Sequence, residues 1–244
     1  MYYIVQESMN KKTVGKFFQA VNAVHNCHVW DEPKFIGNIN FEKVDFEPIT
    51  SNAILEKKAK LTDLVSCPSI GFSSKLLVSG KFKGILEKNR KKGIQFFKAP
   101  IIQNNVMIED YWILNFYEFN YEYIDFPNSK IAYTRKADDY KITYNTIKEY
   151  INLKSFEQFE AKRLEAIAKE ESLSIEKLNL LNQNIDEDFF MIKYVFGGLY
   201  FVSEKLKKEI EDAGCTGIEF QPIELSYNEW TAPGGEREKV YGKV

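Results

Sequence analysis

The chain has 244 residues, 44% of them hydrophobic and 28% charged, enough to bury a core and too apolar for a disordered protein. Thirty-three basic against thirty-five acidic residues leave a net charge of −2, without the basic excess of a generic duplex binder. The 15% aromatic content suits a large sheet-rich core or a ring-rich recognition surface.

In chain order, residues 2–5 read as a short opening strand and residues 14–24 as a helix. Cys27, Cys67 and Cys215 are three and far apart, which is no disulfide framework, so free thiols in a reducing compartment are expected. The opening MYYIVQESMNKK lacks the basic start and longer apolar segment of a secretory signal. No apolar run reaches the length needed to cross a bilayer. A soluble cytoplasmic protein is expected. Residues 39–49 alternate (Ile39, Phe41, Val44, Phe46) with one slip of phase and end at Pro48, the pattern of a bulged strand.

Residues 76–102, LLVSGKFKGILEKNRKKGIQFFKAPII, read as a helix and then a strand. Ser79 is the N-cap, and Phe82, Ile85 and Leu86 form an apolar stripe. Gly84 inside that helix costs about 1 kcal/mol relative to Ala, so a short or tightly packed helix is expected. Gly93 resets the chain before a strand at 94–102. Further on, FYEFNYEYIDF predicts a strand with Tyr117, Phe119, Tyr121 and Tyr123 on a core face and Glu118, Asn120 and Glu122 outward. Residues 131–133 and 141–144 read as strands. Ser155 with Gln158 has the form of a capping box, opening a helix with stripe Phe156, Phe159, Leu164 and Ile167 that ends near Glu171. Residues 178–181 fit either helix or strand, and 189–196 reads as a strand.

Residues 200–225, YFVSEKLKKEIEDAGCTGIEFQPIEL, repeat the unit of 76–102. At a constant spacing of 124 residues, Val78, Ser79, Lys81, Lys83, Glu87, Gly93, Ile94 and Phe96 match Val202, Ser203, Lys205, Lys207, Glu211, Gly217, Ile218 and Phe220. Unrelated stretches of that length share roughly one or two identities. In this copy Ser203 caps the helix, Leu206, Ile210 and Ala213 line one face, and Glu204–Lys208 and Lys207–Glu211 form pairs at four-residue spacing. Gly214 is a left-handed stop and Gly217 takes the place of Gly93. The tail TAPGGEREKVYGKV, Gly-rich and charged, is expected to be mobile. The fold expected is α+β: an antiparallel or mixed sheet with a few helices, built around two helix–strand units at 76–102 and 200–225 in a single domain, 1–244.

Three segments carry a family resemblance: VSGKF, the YWILN segment with Asp125 and Ser129 after it, and GLYFVSEKLKKEIEDAGCTGIEFQPIEL. In these the chain resembles the bacterial polymorphic-toxin immunity proteins of immunity protein family eleven, over about residues 70–130 and 185–225. The resemblance implies a cytoplasmic antitoxin that protects its producer by binding a secreted toxin. It brings no catalytic residues and no cofactor.

The residues themselves offer little chemistry. His25, Cys27 and His28 lie close in sequence, but their spacing matches no standard zinc motif, so no metal is expected. Ser79 and Ser203 lie in no nucleophile elbow and read as caps. No carboxylates pair for acid–base work, and an enzyme is not expected. The basic run at 88–92, followed by Phe96 and Phe97, gives an alternative function in nucleic-acid binding, although a solvated helix end accounts for it more simply. For a toxin interface the candidates are Glu118 and Glu122, with Glu109, Asp110 and Asp125 nearby, since carboxylates suit a basic partner.

Overall fold

The computed structural model describes residues 1–137, 144–181 and 185–244. Both repeats form the same unit of strand, helix and strand: Leu77–Ser79, Gly80–Asn89 and Ile94–Lys98 in the first copy, Tyr200–Ser203, Glu204–Asp212 and Ile218–Pro222 in the second. The shared residues do identical local work. Ser79 Oγ accepts from the Phe82 N–H at 3.2 Å, and Ser203 Oγ accepts from the Leu206 N–H at 3.1 Å. Gly93 and Gly217 turn the chain at φ +77° and +81°, a region that a side chain disfavours. At Gly217 a Cβ would also lie 2.3 Å from the Leu64 carbonyl oxygen. Gly214 is left-handed too, at φ +64°.

The likeness extends beyond the repeated sequence. In each copy the two strands flank a third that is antiparallel to both: Tyr111–Phe116 in the first, Tyr2–Glu7 in the second. An outer strand completes each four-stranded sheet, Leu64–Val65 beside Leu77–Ser79 and Phe189–Met191 beside Tyr200–Ser203. Before each outer strand stands an aspartate holding the cap serine: Ser79 Oγ donates to Asp63 at 2.7 Å and Ser203 Oγ to Asp188 at 2.5 Å. Lys81 lies 3.2 Å from Asp63, and Lys205 pairs with Asp188. Burial opposes ionisation of both carboxyls, yet these serine and lysine contacts hold each below the usual aspartate range.

Alternation along these strands sorts the core into three. Phe82 and Leu86 of one helix and Leu206 and Ile210 of the other meet inner residues of both sheets, among them Val5, Leu114, Phe116 and Val202. The opposite faces serve two outer cores. Leu77 and Ile113 join the N-terminal segment around Phe35 and Ile36, whereas Ile4, Phe190 and Phe201 join the middle segment around Tyr123 and Phe159. The outer layers carry their own sheets: Asn22–His25, Ser51–Ile54, Ile101–Gln103 and Val106–Ile108 in one, Thr146–Ile151, Lys130–Lys136 and Ser172–Lys177 in the other. Between the described strands of these two sheets the pairings are antiparallel except that of Ser51–Ile54 with Ile101–Gln103. The architecture is α+β, as expected. The copies also brace one another: Lys88 reaches Glu209 at 2.7 Å, and the Thr216 N–H donates to Asp63 at 2.8 Å.

Several expected elements differ. The helix at 14–24 is a single turn, Lys11–Val14, because Gly15 at φ +74° stops it and the chain then runs past Lys58 too closely for a Cβ. Residues 39–49 form no strand. Phe41 is left-handed at φ +59°, and Ile39 and Val44 go to the N-terminal core while Phe41 packs on the central one. The strand at 94–102 breaks at Ala99 and Pro100, its halves entering different sheets. The strand at 189–196 stops at Met191, and the rest forms a hairpin loop with Tyr194 at φ +69°. Of the strand at 141–144, residues 141–143 lie outside the described residues.

Smaller departures occur in the helices. Gly84 is neither crowded nor a shortening element, since nothing lies within 4 Å of a Cβ placed there and the helix runs its full ten residues. Ala213 is exposed. Glu204 accepts from the Tyr3 hydroxyl at 2.5 Å and reaches Lys207, rather than Lys208, at 3.9 Å; Lys207 does pair with Glu211, at 3.2 Å. The Phe156–Ala168 helix is capped by Ser155, while the Gln158 side chain returns to the Lys154 N–H at 2.9 Å.

The tail is docked. Tyr227–Thr231 and Glu236–Tyr241 are helical, the first opened by a Ser226–Glu229 capping box. Trp230 and Arg237 are 2% and 1% exposed. The Arg237 guanidinium meets Glu219 through two 2.7 Å bonds, and the Phe220 N–H donates to the Tyr241 hydroxyl at 2.9 Å.

Candidate partner-binding surfaces

The expected carboxylates do not form one patch. Glu109 and Asp110 precede the Tyr111–Phe116 strand and Glu118 follows it, so the two groups are separated by about 20 Å of extended chain. Glu109 lies 3.4 Å from Lys98. Asp110 packs over Gly80 at the start of the first helix and accepts from the Trp112 indole at 3.2 Å. Asp125 caps a short turn by accepting from the Asn128 N–H at 3.4 Å, and it also accepts from the Asn128 side chain at 2.8 Å.

Residues 117–123 are no strand either. The Tyr117 N–H bonds the Gly93 carbonyl at 2.8 Å, the last rung of one sheet, and the Asn120 N–H bonds Met191 of the other at 3.0 Å. The segment is a crossing between sheets, which period-two reasoning cannot see. Glu118 and Glu122 do face solvent, but Asn120 is buried and donates to Glu122 at 3.0 Å. Of the rings, Tyr123 is buried, and Tyr121 stacks on Phe156 at 4.0 Å.

Glu118 and Glu122 instead join carboxylates from a distant segment. Arg90, 4% exposed, donates to the Phe189 carbonyl at 2.8 Å, pairs with Glu187, and lies 3.5 Å from Glu118. Tyr123 donates to Asp186 at 2.9 Å. Burial, aided by Asp186 and Glu118, raises the Glu187 carboxyl despite Arg90. The rim around one buried guanidinium is therefore net acidic. The same geometry weakens the basic run as a nucleic-acid clamp: Arg90 points inward, Lys88 is tied to Glu209, and Lys91 donates to the Glu87 carbonyl at 2.9 Å. His25 bonds Ser51 at 2.7 Å, and exposed His28 lies 2.8 Å from Asp31.

A second feature is a cleft of about 440 Å³ between the two copies, within the roughly 300–1,000 Å³ range of ligand pockets. Its floor includes Ser73–Leu76 and their counterparts Gly197–Tyr200, joined where the Tyr200 hydroxyl donates to the Ser74 carbonyl at 2.9 Å. Its walls include Glu7, Met9, Phe17, Phe18, Tyr227 and Trp230. Sequence reasoning missed this site. The signal was there in part, because Tyr3 and Val5 face the central core and period two puts Glu7 on that same apolar face.

The model of the Immunity protein family (Imm11) matches residues 38–225, well over half of the chain. The chain belongs to this family. It is thus an immunity protein, and the family span contains both repeats, the cap serines with Asp63 and Asp188 that hold them, and the Arg90 rim. Comparison with curated proteins returns no match. Met9, Phe17, Phe18, Tyr227 and Trp230 lie outside the family span, so the family frame supplies the cleft floor and the flanking segments supply much of its wall. Among the described residues no helix is long and apolar enough to cross a membrane.

Proposed function

We propose that this immunity protein neutralises one cognate secreted bacterial toxin by stoichiometric binding in the cytoplasm of the producing cell. Family membership over residues 38–225 carries this reading. The acidic rim at Glu118, Glu122, Asp186 and Glu187 supports a basic partner, since complementary charge accelerates encounter and rejects wrong partners. A protective antitoxin needs an affinity of about nanomolar, or about −12 kcal/mol, and an interface of roughly 1,600 Å².

The test is co-expression with the toxin domain encoded beside this gene and with unrelated toxins. Protection against the first alone, together with a 1:1 complex by light scattering, is the expected result. Protection by trace, substoichiometric protein would replace binding with an enzymatic mechanism.

A further inference from the structure

Glu7 occupies a position that the other copy fills with core. Ile4 pairs with Phe201 and Ile113 pairs with Leu77, and Phe201 and Leu77 are counterparts at the repeat spacing of 124. Ile4 therefore corresponds to Ile113, and three residues on, Glu7 corresponds to Phe116. The hydrogen bonds agree: the N–H of the next residue, Ser8 or Tyr117, donates to the repeat glycine, Gly217 or Gly93. Phe116 is 0% exposed in the central core. In the second copy the same place holds a carboxylate, and a cleft opens over it.

That carboxylate has no counter-charge within ion-pair distance among the described residues. Among the described residues none gives Glu7 a side-chain hydrogen bond or ion pair. Two cations of this region are committed elsewhere. Arg237 is spent on Glu219, and the Lys75 ammonium is directed to the Ile39 carbonyl at 3.2 Å and the Phe41 ring at 4.9 Å. Surrounding protein pushes the Glu7 carboxyl up to about 7, although its surface stays open to the cleft. Beside it, Phe17 and Phe18 are 38% and 44% exposed with ring centroids 4.6 Å apart. Their loop is fixed from below, because the Ser66 hydroxyl donates to the Phe17 carbonyl at 2.9 Å. Tyr227 is held against Gly197, where a Cβ would lie 2.6 Å from its ring.

We propose that this cleft receives one basic side chain, arginine or lysine, of the partner protein, with Glu7 as its counter-ion and Phe17, Phe18 and Tyr227 as its aromatic walls. A cation over ring faces and beside a carboxylate is favoured by both. An anion would meet Glu7 repulsion, and an apolar group would bury that carboxylate without compensation. Met9 adds an adaptable surface for the stem of the side chain. The assignment to a protein partner rests on the immunity reading, and the charge preference of the cleft does not.

Two arms separate these. First, n-butylguanidinium, n-butylammonium and n-butanol are titrated into the full chain while the ring resonances of Phe17, Phe18 and Tyr227 are followed by NMR. Saturable shifts with the cations and none with butanol are expected, weakened about tenfold in Glu7→Gln and also weakened in Phe18→Ala. Thermal unfolding confirms that both variants are folded. Absence of saturable shifts, or equal affinity in Glu7→Gln, overturns the proposal. Second, Glu7→Gln is compared with wild type for toxin binding and protection, with about a tenfold or greater loss of affinity expected. Cation binding with undiminished toxin affinity in Glu7→Gln overturns the assignment to the partner while leaving immunity intact. Failure of the wild-type chain to protect overturns the immunity reading and the partner with it, whatever the first arm shows.

Discussion

Replacing Arg237 by Met tests how the C-terminal segment is attached. The side chain is 2% exposed and its partner Glu219 is 0% exposed. Removing one member of a buried pair costs about 3–5 kcal/mol, because the other charge is left buried. Here Glu219 keeps two donors, the Ser8 hydroxyl and the Met9 N–H, each at 2.9 Å, which places Arg237→Met near 3 kcal/mol at the low end of that range. Met also preserves much of the apolar stem. Glu219→Gln is expected to cost more, about 4–5 kcal/mol, because the guanidinium then keeps only neutral acceptors, the amide oxygen and the Gly242 carbonyl at 2.9 Å, and no counter-charge. The double change Arg237→Met with Glu219→Leu is expected to cost less than the sum of its parts. Urea unfolding at pH 7 measures all three. At this size about 3 kcal/mol corresponds to a melting-temperature loss of roughly 6–12 °C. A cost below about 1 kcal/mol for Arg237→Met, the level of an exposed pair, would show that the tail is not anchored through this contact.

Gly84→Ala is expected to stabilise the protein by about 0.5–1 kcal/mol, since the site is mid-helical, exposed and open around its Cβ; a destabilisation in the same urea assay would show that the first helix is crowded in solution. Burial, with Lys193 adding to it, lowers Lys75 from the ordinary 10.5 to about 8. The unfolded chain therefore binds more protons than the folded one between those values, and stability should rise with pH there. Lys75→Met should flatten that rise, its advantage largest below pH 8 and fading towards 10.5; an unchanged profile from pH 7 to 10.5 would refute this. Glu118→Lys with Glu122→Lys should slow association with a basic toxin, most at low salt. Because Glu118 lies 3.5 Å from Arg90, a small stability loss should accompany the change, and unaltered association at low and physiological salt would place the interface elsewhere.

What the sequence makes legible is local chemistry. Ser79 and Ser203 announce caps, Gly93 and Gly217 announce turns and Gly214 a left-handed stop, all features that neighbouring atoms decide. What it hides is which distant strand completes each unit. Nothing in YYIVQE or YWILNF states that each lies between two strands of a repeat, and that arrangement gives Glu7 the place that Phe116 holds in the other copy. The 117–123 segment misleads for a related reason: alternation reports a strand only where one sheet claims both ends, and here two sheets do. The tail misleads because Arg237 looks like solvent-seeking charge until its partner, eighteen positions upstream on a buried strand, is known. Glu219 and Gln95 hold equivalent positions, and each uses its side chain to fasten an outlying segment, the tail in one copy and Val44 in the other. That parallel is invisible without coordinates.

The placement of Tyr2–Glu7 between Tyr200–Ser203 and Ile218–Pro222 sets a timetable for biosynthesis. This strand is translated long before either neighbour, and at about 5–20 residues per second the ribosome needs roughly ten to forty seconds to supply them. During that interval both backbone edges of the strand are unpaired, and the inner faces of Tyr3 and Val5 lack the second helix that covers them. Such edges are adhesive. Completion of the sheet therefore waits for residues 200–222, and a product cut short before residue 200 lacks both partners of this strand. Quality control thus coincides with closing this sheet: chains that stop before residue 200 should be aggregation-prone or degraded.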